Sequence, residues 1–280
     1  TGGTNYTVKV NGLELVDGEQ YRQLECVARK YKDNQNDADG LYDIRWADPK
    51  SDFGATSSLA TGSLKALVEM RDGNNHNNFC GKVESASGRQ VVITNTNVLE
   101  EAGMNLPSEG VLTLGNREYE YASFIMTTDP SGQTRFSFTI SSDISGLAST
   151  MGQPAAVGTS IDFKGIPYYQ SQMNEFLRNF AKAFNDIQHK GVDLYNNPMG
   201  SFFVAEDKLG NELDFSEAGA ASLRSNSNSY YQLTAANIKI ADASRDPNIF
   251  ATAIRPDLAN GESNQSLVEE LQKLQRDVPM

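Results

Sequence analysis

Apolar residues follow two rhythms along this chain. Through residues 1–60 they alternate with polar neighbours: Tyr6, Val8 and Val10, then Leu13 and Leu15 before an Asp17-Gly18 turn, then Leu24, Cys26 and Ala28. A period of two is that of half-buried strands. A polar loop at 32–40, a short strand at 41–46 ended by Asp48-Pro49, and a Ser/Thr/Gly-rich stretch at 51–63 follow. A helix then starts at Ser63, carries Leu64, Leu67 and Val68 on one face, and stops at Gly73. From 74 to about 165 the rhythm is again that of strands. Residues 90–94, 110–114, 117–125 and 135–140 are rich in Val, Ile, Phe, Tyr and Thr and are divided by turn residues, with Asp129-Pro130-Ser131-Gly132 as a hairpin signal. Strands at such spacing predict a small all-β unit, a sandwich or a barrel, with its own core.

The second rhythm begins at Ile166-Pro167, with proline in a first turn where its missing N–H does no harm. Tyr169, Met173, Phe176, Phe180, Ala183 and Ile187 recur at spacings of four and three, and Phe184 broadens the stripe. The expected use of this stripe is an internal helix-on-helix seam, with association with another subunit as the alternative. His189 and Lys190 are expected in the last turn and Gly191 as a left-handed cap. Residues 191–232 read as loop with short strands around Phe202, Phe203, Leu213 and Phe215, with 225–229 as a Ser/Asn linker. A short helix is expected near Asp246-Pro247 with Ile249, Phe250 and Ala253. A last helix, capped within 263–266, lines up Leu267, Leu271 and Leu274. The resulting class is α+β: a mixed helix/strand body in two parts, 1–73 and 166–280, interrupted by an inserted all-β domain at 74–165.

Composition narrows the function. Of 280 residues, 24 are Lys or Arg and 36 Asp or Glu, a formal charge of −12. Attraction to phosphates or anionic lipid is therefore disfavoured, and neither nucleic acid nor membrane is an expected partner. No apolar run reaches the ~20 residues of a membrane span and no signal peptide precedes the first strands. The chain, starting at Thr1, reads as a piece of a longer one. Cys26 and Cys80 lie far apart and form no disulfide framework; both read as buried or idle thiols. His76 sits in a polar Asn-rich turn and His189 at a helix end, neither in a metal-binding or triad spacing. Glu100-Glu101 reads as a solvated face. No catalytic, cofactor-binding or metal-ligating residue is predicted, and an enzyme site in the β unit is the weakest expectation.

Four stretches carry a resemblance. They are residues 62–72, with Gly62, Leu64, Leu67 and Arg71-Asp72; the helix ending Phe180-Ala181-Lys182-Ala183-Phe184-Asn185 with His189-Lys190-Gly191-Val192-Asp193-Leu194 and Gly200-Ser201-Phe202-Phe203; Leu233-Thr234-Ala235-Ala236-Asn237-Ile238 with Asp246-Pro247-Asn248-Ile249-Phe250-Ala251; and Gly261-Glu262-Ser263-Asn264 with the leucine helix. In this order they resemble the flagellar hook-associated protein 1 family, which forms the hook–filament junction of the bacterial flagellum. Residues 74–165 lie outside the resemblance and interrupt what is a continuous helical region in such proteins. The resemblance implies an extracellular structural subunit with no enzymatic activity and no cofactor, exported through the flagellar channel. Its implied partners are the hook protein, the next hook-associated junction protein and other copies in the full-length assembly. The terminal assembly helices of the family are missing here, so the 280 residues alone are expected to be monomeric. The alternative is a surface module that binds carbohydrate or a host component.

Overall fold

A computed structural model describes residues 14–17, 20–58, 61–142, 147–213, 215, 222–252, 254 and 266–277. The early strands Tyr6 to Val10, Ala253 and the proposed cap residues 263–265 lie outside them. The fold is α+β. Strands β1 (Glu14–Asp17), β2 (Gln20–Ala28), β3 (Tyr42–Trp46) and β4 (Ser51–Asp52) form an antiparallel sheet in sequential order. Helix α1 (Ala55–Ser58) and helix α2 (Ser63–Asp72) come next, and none of α2's side chains is buried.

The chain then enters six strands: β5 (Phe79–Ser87), β6 (Gln90–Thr94), β7 (Gly110–Leu114), β8 (Arg117–Thr128), β9 (Thr134–Ile140) and β10 (Pro154–Val157). Their pairing order, β5-β6-β9-β8-β7-β10 and back to β5, is antiparallel throughout and closes a barrel. Closure removes the exposed strand edges of an open sheet. Bulges at Val83/Ser85 and Tyr121/Ser123 supply the local bend this needs. Inward-facing rings fill the interior: Phe79, Tyr121, Phe124, Phe136 and Phe138 are buried, and Phe79 meets Phe136, as Tyr121 meets Phe138, edge-on at 5.0 Å. Such pairs contribute about 0.5–1.5 kcal/mol beyond burial.

The barrel core is not drawn from residues 74–165 alone. Strand β13 (Ser222–Arg224) pairs with the outer half of β8, and Leu223 packs on the core. Tyr231, fully buried, stacks edge-on against Phe124 at 5.6 Å and donates its hydroxyl proton to the Leu106 carbonyl. Residues 225–229 are correspondingly no free linker. Ser225 and Ser229 are buried, and Ser225 exchanges hydrogen bonds with the Phe124 backbone through its N–H and its Oγ.

The chain enters and leaves the barrel through two segments that lie side by side. Asn75 N–H donates to Phe163 O at 2.9 Å, the Asn74 side chain bonds Thr159 O and Ile161 N–H, and the N–H groups of Gly165 and Tyr168 both donate to Gly73 O. The C-terminal end of α2 therefore abuts the N-terminal end of helix α3 (Ile166–Gln188). Only glycine fits at this crossing. A Cβ on Gly73 would come within 2.4 Å of Glu69 O, and one on Gly165 within 2.5 Å of the same carbonyl.

Beyond α3, strands β11 (Phe203–Glu206), β12 (Glu212–Leu213) and β14 (Ile238–Ile240) form a small antiparallel sheet, with β11 central. It packs under α3 through Ala181, Phe215, Tyr230 and Leu233. Helix α4 (Ser266–Asp277) sets Leu267, Leu271 and Leu274 against Ile187, Met199 and Ala251. The segment at Asp246-Pro247 is a single 3-10 turn, Pro247–Ile249, capped by the Asp246 side chain. Helix α3 ends at Gln188, and Gly191 does not take the left-handed conformation expected of it. Its N–H instead bonds Gln188 O in a tightened last turn, with Lys190 bonding Ile187 O.

The hairpin signal at Asp129 marks a loop that occurs three times. At 129–133, 193–197 and 207–211 an aspartate accepts the N–H groups two and four residues on, and the fourth residue (Gly132, Asn196, Gly210) has positive φ. This is a three-residue turn with a left-handed bulge, and the aspartate replaces the missing backbone acceptors.

Gly165→Ala should destabilise the protein by about 1–3 kcal/mol, read from urea unfolding. Gly200→Ala, where an added Cβ meets nothing within 4 Å, should change stability by less than about 0.5 kcal/mol.

Candidate functional site

Helix α3 has two faces used in an unexpected order. The buried side chains include Asn174, Arg178, Ala181, Asn185 and Gln188, while Tyr169, Met173 and Phe176 are 61%, 56% and 47% exposed. A surface helix normally turns its apolar stripe inward. Here the polar stripe is inward and the apolar stripe faces out, which corrects the expectation of an internal seam along the whole helix. Only its C-terminal part is covered: Phe180 and Phe184 touch Phe203, and Ile187 meets α4.

The polar stripe is inward because each of its groups finds partners across it. Asn174 donates to Asn36 Oδ1 and accepts the Ala235 N–H. Asn185 donates to Phe203 O and Tyr230 Oη and accepts the N–H groups of Phe202 and Phe203. Gln188 pairs with both backbone groups of Ala251. At the centre is Arg178, 1% exposed. Its Nε donates to Leu233 O at 2.8 Å, Nη1 to Ala102 O and Met104 O at 3.0 and 2.5 Å, and Nη2 to Gln35 Oε1 and Tyr231 O, both at 2.7 Å. All five N–H donors are thus used. Burial pulls the guanidinium down to about 10, opposed by Tyr231, Glu101 and Glu175, so it remains charged at neutral pH.

Glu101 belongs to this junction and is not part of a solvated face. Its Oε1 accepts the Tyr231 N–H at 2.8 Å, whereas Glu100 is exposed. The signal that could have separated the two is the β-unit crossover they start, which runs on into the buried segment Met104-Asn105-Leu106. Cys26 and Cys80 are free and both exposed, so neither is a buried thiol. His189 is exposed, with Nε2 3.3 Å from Ser201 Oγ.

His76 stands where the chain crosses into the barrel, with Nδ1 2.6 Å from Ser160 Oγ and Nε2 3.3 Å from Asp162 Oδ1. The three residue types are those of a hydrolytic triad, but the geometry links the two crossing segments instead. The carboxylate is 81% exposed, and a hydrated acid does little to orient or stabilise an imidazolium. Among the described residues, no group of three or more His, Cys, Asp or Glu is placed to hold a metal ion.

A polar cleft of about 560 Å³ separates the first sheet from the outer wall of β7 and β8. Its floor is an ion-pair network. Arg29 binds Asp43 through Nε and Nη2, at 2.7 Å for the shortest contact, and Asp37 through Nη1 at 3.2 Å. Arg71 holds Asp72 with two bonds and donates to Tyr42 O. Burial works against the Arg29 charge, but the bond to Asp43 and the surrounding carboxylates hold its pKa above the usual value. Asp33 is the half-exposed, most loosely paired member, its carboxylate 3.7 Å from Arg29 Nη1. Partial burial raises its pKa, Arg29 lowers it, and Asp37, Asp43 and Asp72 raise it, giving about 6.

Compared with protein-family models, curated proteins and solved structures, the chain matches none.

Because the Asp33 pKa is raised above the unfolded value of ~3.9, its contribution to stability is fully present below pH 4 and lost as pH rises through 6. Asp33→Asn should therefore raise the thermal midpoint at pH 7.5 and leave it unchanged at pH 4. An equal shift at both values would place the effect outside this titration.

Proposed function

We propose that this chain is a structural subunit of the bacterial flagellum at the hook–filament junction, acting by packing against neighbouring subunits and by no chemical step. On this reading the protein is extracellular and contacts the hook protein on one side and the next hook-associated protein on the other. Residues 1–73 and 166–280 are the two parts of an assembly body, and 74–165 is a β domain inserted into it. The 280 residues by themselves remain monomeric in dilute solution.

The observation that supports this reading is the outward apolar stripe of α3. A helix that seats its amides and guanidinium inward and shows Tyr169, Met173 and Phe176 to solvent is built to be covered. Exposed apolar patches of this kind mark interaction sites. The paired crossing at Gly73 and Gly165 supports the insertion, since an inserted domain enters and leaves its host at adjacent points. A β domain facing the medium fits a barrel whose six strands close on one another, so that among the described residues only the three-residue β13 is left as an edge.

A strain lacking the whole gene tests the reading. It should form hooks that bear no filaments and release filament protein into the medium. Filaments of normal length on that strain would refute the junction role.

A further inference from the structure

We infer that the polar cleft between the first sheet and the barrel is a binding site for an uncharged, polyhydroxylated ligand, in chemical class an oligosaccharide. Such a site is additional to the flagellar reading and independent of it.

Strand periodicity builds the two walls. In β8 Tyr119 is buried in the barrel core, so its neighbours Glu118 and Glu120 point out of the barrel, beside Val111 and Thr113 of the paired β7. Asp43 and Arg45, two residues apart in β3, line the opposite wall, and Arg71 and Asp72 of α2 complete the floor. The cleft measures about 560 Å³ and lies where separate structural units meet. Small-ligand sites of about 300–1,000 Å³ occur preferentially at such junctions.

Charge selects the ligand. The lining holds five cationic side chains and seven carboxylates. Most already pair with one another: Arg29 with Asp37 and Asp43, Arg71 with Asp72, and Lys30 with Glu120 from one wall to the other. Among the described residues, the side chains of Arg45, Lys50 and Glu118 have no partner. An anion entering the cleft would meet Glu118 and Asp33, and a cation would meet Arg45 and Lys50. Either would give up hydration to face a like charge. A neutral ligand escapes both costs. The lining also offers too little apolar surface, chiefly Ile44, Val68 and Val111, to hold a lipid.

Hydroxyl groups are what this lining can serve. Each donates one proton and accepts through two lone pairs, so adjacent hydroxyls of a sugar ring can satisfy a carboxylate on one side and a guanidinium or ammonium on the other. Glu118 brings unengaged acceptors on the barrel wall, and Arg45 and Lys50 bring unengaged donors on the sheet side. The floor is fixed before any ligand arrives. Asp43 and Asp72 are each held by two nitrogens of one arginine, which lowers the ordering cost of binding. An aromatic plate completes the lining. Tyr31 donates its hydroxyl proton to Glu120 at 3.1 Å, which ties the ring to the barrel wall, and Lys30 Nζ stands over the ring at 4.8 Å from its centre. The C–H face of a sugar ring packs on such an apolar surface.

The probes are maltohexaose, cellohexaose and chitohexaose as neutral oligosaccharides, with spermine and a heparin hexasaccharide as cationic and anionic comparisons. Calorimetric titration and saturation-transfer NMR should show saturable binding of at least one neutral probe, with a Kd of about 1 mM or tighter. Raising the salt to about 0.5 M should change that Kd by less than about twofold, because a neutral ligand has no charge to screen. Arg45→Ala and Glu118→Ala, at exposed positions, should each weaken binding by about tenfold, the loss of a hydrogen bond to a charged group, and leave the thermal midpoint unchanged. Binding of none of the three neutral probes, binding that both substitutions leave unchanged, or tighter binding of spermine or heparin than of any neutral probe would overturn the inference.

Discussion

A guanidinium with no carboxylate bonded to it, buried among five oxygen acceptors, is the interaction on which the arrangement of this protein depends. Stripping water from a cation costs several kcal/mol, so a buried charge survives only where its donors are fully met. Arg178 meets that condition with acceptors from residues 35, 102, 104, 231 and 233. These belong to the loop between β2 and β3 of the first sheet, the crossover between β6 and β7, and the segment that caps the barrel core. One side chain therefore holds the early loop, the barrel and the closing segment to α3. Lysine could not replace it, since a compact ammonium has three donors and no planar fork.

The direction in which α3 shows its apolar residues is a consequence of that arrangement. A helix that must aim Arg178, Asn174, Asn185 and Gln188 inward has no freedom to aim Tyr169, Met173 and Phe176 inward as well, because the two stripes lie about 130° apart around its axis at 3.6 residues per turn. Rotating the helix to bury the aromatics would strand the guanidinium and three amides and leave backbone groups such as Phe203 O and Ala235 N–H without their partners. The exposed stripe is thus enforced from beneath. The same link explains why the barrel, although it enters and leaves by one narrow crossing, shares Tyr231 and Leu223 with the chain beyond α3.

Much of the architecture is legible in the residue pattern, and its failures are physical. Strands β6 and β7 and the start of α3 stand where alternation and Ile166-Pro167 place them. Strand β5 escapes because its inward residues Phe79, Val83 and Ala86 change phase across a bulge, so no steady alternation exists to read. The orientation of α3 is beyond reach for a different reason. Periodicity states that a helix has an apolar face but not which way it points, and what decides it is a set of acceptors up to 143 residues away in sequence. Glu101 eludes the pattern for the same cause, since its partner Tyr231 is 130 residues distant. The cap expected at Gly191 fails because glycine permits the left-handed conformation without requiring it.

The most direct test of the central role of Arg178 is calorimetry of Arg178→Met, which keeps most of the side-chain volume and removes every donor. Leaving five oxygens unmatched should cost about 3–5 kcal/mol and, because the link between barrel and helix is lost, split one unfolding transition into two. A single transition displaced by less than about 1 kcal/mol would contradict the account, for it would mean that other contacts hold α3 polar side inward and that the guanidinium is incidental.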